Sequence, residues 1–193
     1  MKYLNFVIDL DNTLFYNDIV DKACYEAGVP HPVNHDLSDA PLSVQDRCWK
    51  EFEDENRMCS FEPYADVVGI DKLLKDKGHR VIVLSARSHK MYTRTVQMVK
   101  KHYPYVDDII LLQSYDKGSS YISLNADVVV DDHANHVIQA LDVGVKYVIM
   151  ISNNHTIYNY KSIEEVKSKG AEVFPSARSL EQFISMYELM ENK

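Results

Sequence analysis

No stretch of the 193 residues approaches the roughly 18 apolar residues that a membrane-spanning helix needs. The opening MKYLNFVIDLDN is too short in its apolar part, and too soon acidic, to read as a secretory leader. Cysteine is scarce. Cys24, Cys48 and Cys59 are odd in number and lack a short paired spacing, which argues against a disulfide framework and against a zinc cluster. They are expected to be buried or idle thiols in a reducing compartment. Positive charge is also short, with 21 Lys and Arg against 29 Asp and Glu and a net charge of −8. Neutralising phosphates takes a cation excess, so the chain reads as a poor general binder of nucleic acid, though local basic patches stay open. There is no internal repeat and no low-complexity tract. These absences give the expectation of a soluble cytoplasmic protein without a membrane partner.

What is present is ordinary for a globular chain, with 46% hydrophobic and 26% charged residues. The length suits one α/β domain with an insertion. Val- and Ile-rich runs recur at YLNFVID, RVIVLS, DIILLQ, DVVVD, YVIMIS and AEVF. Most lack polar alternation, as strands buried on both faces of a parallel sheet do. Helix-like segments fall between them at 67–77, 90–102, 135–143, 162–169 and 179–192. Gly78, Gly144 and Gly170 stand as stop signals. The alternation predicts a doubly wound, Rossmann-like parallel sheet. One region breaks the rhythm. Between Phe15 and Pro63 the pattern gives helices at 18–27 and 43–57, joined by GVPHPVNHDLSDAPLS. The expected organisation is an α/β core of residues 1–15 and 64–193, with a small helical cap of residues 16–63.

The stretch FVIDLDNTLF, residues 6–15, ends an apolar strand with Asp9 and Asp11. Alternate residues of a strand share a side, and the carboxyl ends of strands form the ligand crevice of such sheets. Asp9 as a turn residue and Asp11 as an N-cap is the plain structural alternative. Paired carboxylates near a core repel and lose hydration, a cost that a bound cation removes. Oxygen-only ligands suit Mg²⁺. Two further strands end alike, RVIVL in Ser85, Ala86 and Arg87, and DVVV in Asp131, Asp132 and His133. In a parallel sheet the three ends converge.

In order, DLDNT, LSAR, a later lysine and VVVDD resemble the four motifs of the haloacid dehalogenase-like (HAD) superfamily of phosphotransferases. The resemblance spans about residues 5–152 and includes the lead-in FEPYADVVGIDKLLKDKGHRVIVLSAR. It implies that Asp9 is the nucleophile and Asp11 the general acid and base. Asp132 would hold Mg²⁺ with Asp9 and the Asp11 backbone carbonyl, and Asp131 would assist directly or from behind. Ser85 would donate to a phosphate oxygen, with Thr13 and Ala86 in the same phosphate-binding set and Arg87 on a phosphate or substrate group; for Arg87 an ordinary surface salt bridge is the alternative. Lys117, in QSYDKGSSY, is the candidate for the charge-neutralising lysine; the alternative is a solvated loop residue. Asp11 argues against dehalogenation, because dehalogenases lack that second aspartate. Asn12 replaces a common glycine and tolerates unusual backbone angles too.

The helical insertion is similar to that of the 5′(3′)-deoxyribonucleotidases. That likeness implies a small phosphomonoester substrate, a nucleoside monophosphate, with Phe15, Tyr16, Trp49 and Phe52 as candidates to hold the base. Trp49 and Phe52, three apart, would share a helix face, which equally suits plain packing. Asn12 and Thr13 stand where that group often has Gly and Val. An alternative is a polynucleotide 3′-phosphatase, since SARSHKMYTRTVQMVKKHY resembles such enzymes and collects Arg87, Lys90, Arg94, Lys100 and Lys101. The overall acidity opposes it. A small-metabolite phosphatase and a catalytically dead HAD-fold binding module complete the set. The pairs His31/His35 and His133/His136 lack a third ligand and are read as incidental, His133 lining the site at most. Nothing in the sequence fixes the oligomeric state.

Overall fold

The computed structural model describes residues 3–30, 32, 37–152 and 160–191. His31, His35 and residues 153–159 of the run after the fifth strand lie outside them. All six Val- and Ile-rich runs are strands: β1 (Asn5–Ile8), β2 (Arg80–Ser85), β3 (Asp108–Leu111), β4 (Val128–Asp131), β5 (Tyr147–Ile151) and β6 (Glu172–Phe174). They form one parallel sheet in the order β3-β2-β1-β4-β5-β6. The order reverses at β1, so the crevice of a doubly wound sheet opens between β1 and its neighbours.

Nine helices flank the sheet among the described residues: α1 (Ile19–Ala27), α2 (Leu42–Glu53), α3 (Glu55–Met58), α4 (Ile70–Asp76), α5 (Tyr92–His102), α6 (Gly118–Ser123), α7 (Ala134–Asp142), α8 (Tyr160–Ser168) and α9 (Leu180–Glu191). The period of two along each strand sorts side chains between the two layers. Phe6, Ile8, Val81, Val83, Val128 and Val130 bury one face in a cluster with α1, α2, α4, α5 and α9. Val7, Ile82, Leu84, Val129, Val148 and Met150 bury the other against α6, α7 and α8. Both faces are covered, which is why the strands carry so little polar alternation. The inserted α1 and α2 have no separate core: Ile19, Ala23, Val44 and Cys48 belong to the same cluster as Phe6 and Ile8.

Three segments differ from the sequence reading. The helix expected over 43–57 is two helices. Asp54 adopts an extended conformation, and its carboxylate accepts from the Asn56 and Arg57 amides at 2.9 and 3.3 Å, starting α3 afresh. The helix expected from Val67 begins only at Ile70, since Gly69 sits at φ 94° and cannot continue a right-handed turn. Helix α6 was not expected, because GSSYIS is too short and too polar to show a period. Cys24 and Cys48 are buried and Cys59 is half-buried, all as free thiols. Among the described residues no helix is long and apolar enough to cross a membrane.

Candidate active site

Strand register builds the site. Ile8 pairs with Val83 on one side and Val130 on the other, so Asp9 emerges level with the ends of β2 and β4. The Asp9 amide extends the ladder by donating to the Val130 carbonyl at 2.8 Å. Beyond it the chain folds into a tight turn. Leu14 and Phe15 both donate to the Leu10 carbonyl at 3.0 Å, and Asn12 donates to the Phe15 carbonyl at 2.7 Å. Asn12 holds φ 60°, the left-handed conformation that an asparagine adopts more readily than most residues. Its side-chain oxygen accepts from the Asn17 amide at 3.0 Å and ties the turn down. This geometry presents Asp9 and Asp11 together while Leu10 stays in the core.

Lys117 is the centre of the charge arrangement. The sequence left open a solvated loop lysine; the structure buries it completely at the N-terminus of α6. Its Nζ donates to Asp9 Oδ1 at 2.5 Å and to Asp131 Oδ2 at 2.8 Å. Burial alone would lower its pKa, but the charges of Asp131 and Asp9 raise it well above the ordinary lysine value. Burial pushes the Asp9 carboxyl up to about 6, with Lys117 opposing and the Asp131 and Asp11 charges adding. Burial acts upward on Asp131 too, yet His136 and Lys117 hold it well below the usual carboxylate range.

Asp9, Asp131 and Asp132 are all buried, and each brings an oxygen within 4.8 Å of the others. Three buried carboxylates against one ammonium leave an excess of two negative charges, which suits a divalent ion held by oxygen. Asp131 Oδ1 accepts from the His133 amide at 2.9 Å and contacts His136 Nδ1 at 3.1 Å, while Oδ2 faces Lys117. Both Asp131 oxygens are thus engaged, and Asp131 anchors its neighbours.

Arg87 has a protein partner. Its Nε and Nη2 donate to the two oxygens of Asp11, each at 2.8 Å, in a bidentate fork. The guanidinium is buried, reaches Thr95 Oγ1 at 3.5 Å and lies 6.0 Å from the Phe61 ring centroid. Asn17 adds a donor to Asp11 at 3.2 Å. Ser85 is buried at the end of β2 and accepts from the Arg87 amide at 3.2 Å; Ala86 lies half-buried between them. Thr13 is buried with no hydrogen-bond partner for its hydroxyl.

The aromatic candidates divide. Phe15 is fully buried, edge-on to His102 and Tyr103, and leaves no ring face for a substrate. Trp49 is half-exposed on α2 and packs at 66° on Phe52, as their spacing predicted. Tyr16, the fourth candidate, is half-buried and donates to Asp21 at 3.1 Å, whereas the sequence did not single out Tyr64 or Tyr115. Tyr16 and Tyr64 have ring centroids 6.0 Å apart, and burial and the Asp132 charge push the Tyr64 hydroxyl above its ordinary value. Tyr115 stacks on His136 at 6.4 Å and is largely exposed. His136, read as incidental, is a partner of Asp131; only the spacing of five from Asp131 hinted at it.

No family model matches the sequence, and no curated protein matches it. Solved structures do. A predicted phosphatase from Clostridium acetobutylicum superposes with a TM-score of 0.66 at 19% identity, covering 95% of this chain and 99% of that one. A HAD family hydrolase from Deinococcus radiodurans, with bound phosphate and sodium, gives 0.62 at 10% identity over 92% of each chain. L-2-haloacid dehalogenase from Xanthobacter autotrophicus gives 0.62 at 14% identity, covering 95% of this chain and 99% of that one. The chain has the HAD-like α/β fold. At these identities the likeness is one of architecture. What a HAD-like scaffold does in this chain therefore rests on its own carboxylates, Lys117 and Arg87.

Proposed function

We propose that this chain is a Mg²⁺-dependent phosphomonoester hydrolase of the HAD type that works through an aspartyl-phosphate, with a nucleotide as substrate. The observation that carries the reading is the buried group Asp9–Lys117–Asp131 with Asp132 alongside. Such a group is costly to bury without a task. An Asp9 oxygen attacks phosphorus as the bond to the leaving oxygen breaks, and Asp11 gives that oxygen a proton. Asp11 then takes a proton from water, the water oxygen bonds to phosphorus, and the bond to Asp9 breaks to release inorganic phosphate. Lys117 neutralises charge on the transferred group, and Ser85 and Thr13 supply hydroxyl donors. Asp9, Asp132 and the Asp11 carbonyl would hold Mg²⁺, which offsets the remaining negative charge. The Arg87 fork occupies both Asp11 oxygens, so it opens before Asp11 carries a proton, and a phosphoryl group is a fitting second partner for the guanidinium.

Residues 16–63, containing α1 to α3, form the cap in this reading. Tyr16, Tyr64 and Tyr115 offer aromatic surface for a base close to the carboxylates, in place of Phe15. The deciding experiment measures phosphate release from p-nitrophenyl phosphate and from deoxynucleoside monophosphates, with Mg²⁺ or EDTA, for the wild type and Asp9→Asn. Release that needs Mg²⁺ and vanishes in Asp9→Asn is expected. Folded protein that releases nothing from either would overturn the catalytic reading and favour a binding module.

A further inference from the structure

Two side chains of α7 reach the strand end and the loop that hold Asp131 and Lys117, and the reaction scheme gives neither a task. They are His136 and Gln139, three apart and so on one helix face. His136 is buried, and its Nδ1 lies 3.1 Å from Asp131 Oδ1. Asp131 accepts from the His133 amide and from the Lys117 ammonium, as a carboxylate does. A carboxylate only accepts, so Nδ1 carries the hydrogen of the His136 contact. The other ring nitrogen, Nε2, is buried with no hydrogen-bond partner, and Tyr115 stacks on the ring with centroids 6.4 Å apart. The imidazole has no competing hydrogen bond to turn towards.

Gln139 holds the other end of the lysine. The Lys117 amide donates to Gln139 Oε1 at 2.8 Å, and Gln139 Nε2 donates to the Tyr115 carbonyl at 3.3 Å. One side-chain amide thus clips the loop on both sides of Asp116. Gly118, the next residue, packs against the same side chain: a β-carbon there would stand 3.9 Å from Gln139 Cβ. The contacts close a circuit. It runs from His136 to Asp131, from Asp131 to the Lys117 ammonium, and from the Lys117 amide to Gln139, about one turn along α7 from where it began. A lysine is a point charge on a flexible stem. Here its amide is fixed by Gln139, and its ammonium by an Asp131 that His136 fixes in turn, which leaves the ammonium 2.5 Å from Asp9 Oδ1.

We propose that His136 and Gln139 act together as positioning residues, holding the Lys117 ammonium where it meets the phosphoryl group that Asp9 receives. This deepens the phosphomonoesterase reading and rests on it. The test measures kcat and KM for p-nitrophenyl phosphate, per folded enzyme counted by circular dichroism. The variants are His136→Phe, which keeps a stacking ring without the donor, His136→Asn, which returns a donor near the Nδ1 position, Gln139→Met, which keeps the shape without the amide, and the double His136→Phe/Gln139→Met. His136→Phe is expected to lower kcat about tenfold or more, the worth of a hydrogen bond to a charged group, and Gln139→Met several-fold. KM should change little, since neither residue touches the substrate. His136→Asn should recover most of the rate. The double variant should lose less than the product of the two single losses, because both act on one contact. An unchanged kcat in folded His136→Phe, a loss that Asn does not restore, or losses that multiply would each overturn the proposal. If the wild type leaves p-nitrophenyl phosphate and deoxynucleoside monophosphates intact, the catalytic reading has failed, and the positioning role is judged by calorimetric binding of inorganic phosphate in Mg²⁺. Affinity that falls in Gln139→Met and His136→Phe and returns in His136→Asn supports it. A wild type that binds no phosphate, or variants that bind it equally, overturns it.

Discussion

At the scale of single residues, the site is defined by charges that the fold keeps in excess. Asp9 shows the consequence most directly. Burial and its carboxylate neighbours raise its folded pKa to about 6, above the value of about 3.9 for an unfolded aspartate. A raised acid favours its protonated form in the folded state, so ionising it weakens the metal-free fold as pH rises through that window. Asp9→Asn is therefore expected to raise the melting temperature in EDTA at neutral pH, although it removes the nucleophile. The gain should disappear below about pH 4, where both states of the wild type carry a protonated Asp9. Thermal melts across pH check this, and a variant less stable than the wild type at neutral pH would show that the Lys117 contact outweighs the cost of burial.

At the scale of elements, helix ends carry much of the positioning. Lys117 reaches Asp9 and Asp131 because α6 begins at Gly118, and α7 begins immediately after the Asp131–His133 segment. On the inserted helices, Asp54 separates α2 from α3 and bonds the first amides of α3. Asp54→Ala is expected to cost about 1 kcal/mol, the usual worth of an N-cap, read from urea unfolding. Arg57 on α3 pairs with Asp18 and with Glu51 at 3.1 Å, and its guanidinium lies 4.9 Å from the Phe61 centroid. Fraying α3 should for that reason also loosen the packing of Phe61 beside Arg87, and slower turnover of p-nitrophenyl phosphate is expected in the same variant.

At the scale of the whole molecule, the sheet, both helical layers and the carboxylate cluster form a connected unit, so ligation at the strand ends is felt as global stability. Mg²⁺ binding only the folded state should stabilise it by about 2.7 kcal/mol at a hundredfold excess over its dissociation constant. The melting temperature of the wild type is expected to rise with Mg²⁺, and the rise to be lost in Asp132→Ala. If Asp131, rather than Asp132, is the direct ligand, the Asp132→Ala protein will keep the shift. This measurement needs no substrate and tests the ligand assignment independently of turnover.

The sequence by itself determined the layered parallel fold, because six Val- and Ile-rich runs can satisfy their hydrophobic faces only between two helical layers. It also determined that Asp9, Ser85 and Asp131 stand at the same edge of the sheet, since parallel strands bring their carboxyl ends to one edge. It did not decide which partner each charge takes. Lys117 lies 108 positions from Asp9 and on a helix too short to announce itself, and Arg87 lies 76 from Asp11. Those pairings arise from loop paths and helix starts, where local pattern is weakest. The same reason hid the burial of Phe15 after the Leu10–Phe15 turn, the break at Asp54, and the groove of about 500 Å³ between α5 and residues 56–62, a segment some forty residues before it. Periodicity along a chain fixes which face a side chain takes; only the assembled tertiary structure fixes what stands opposite.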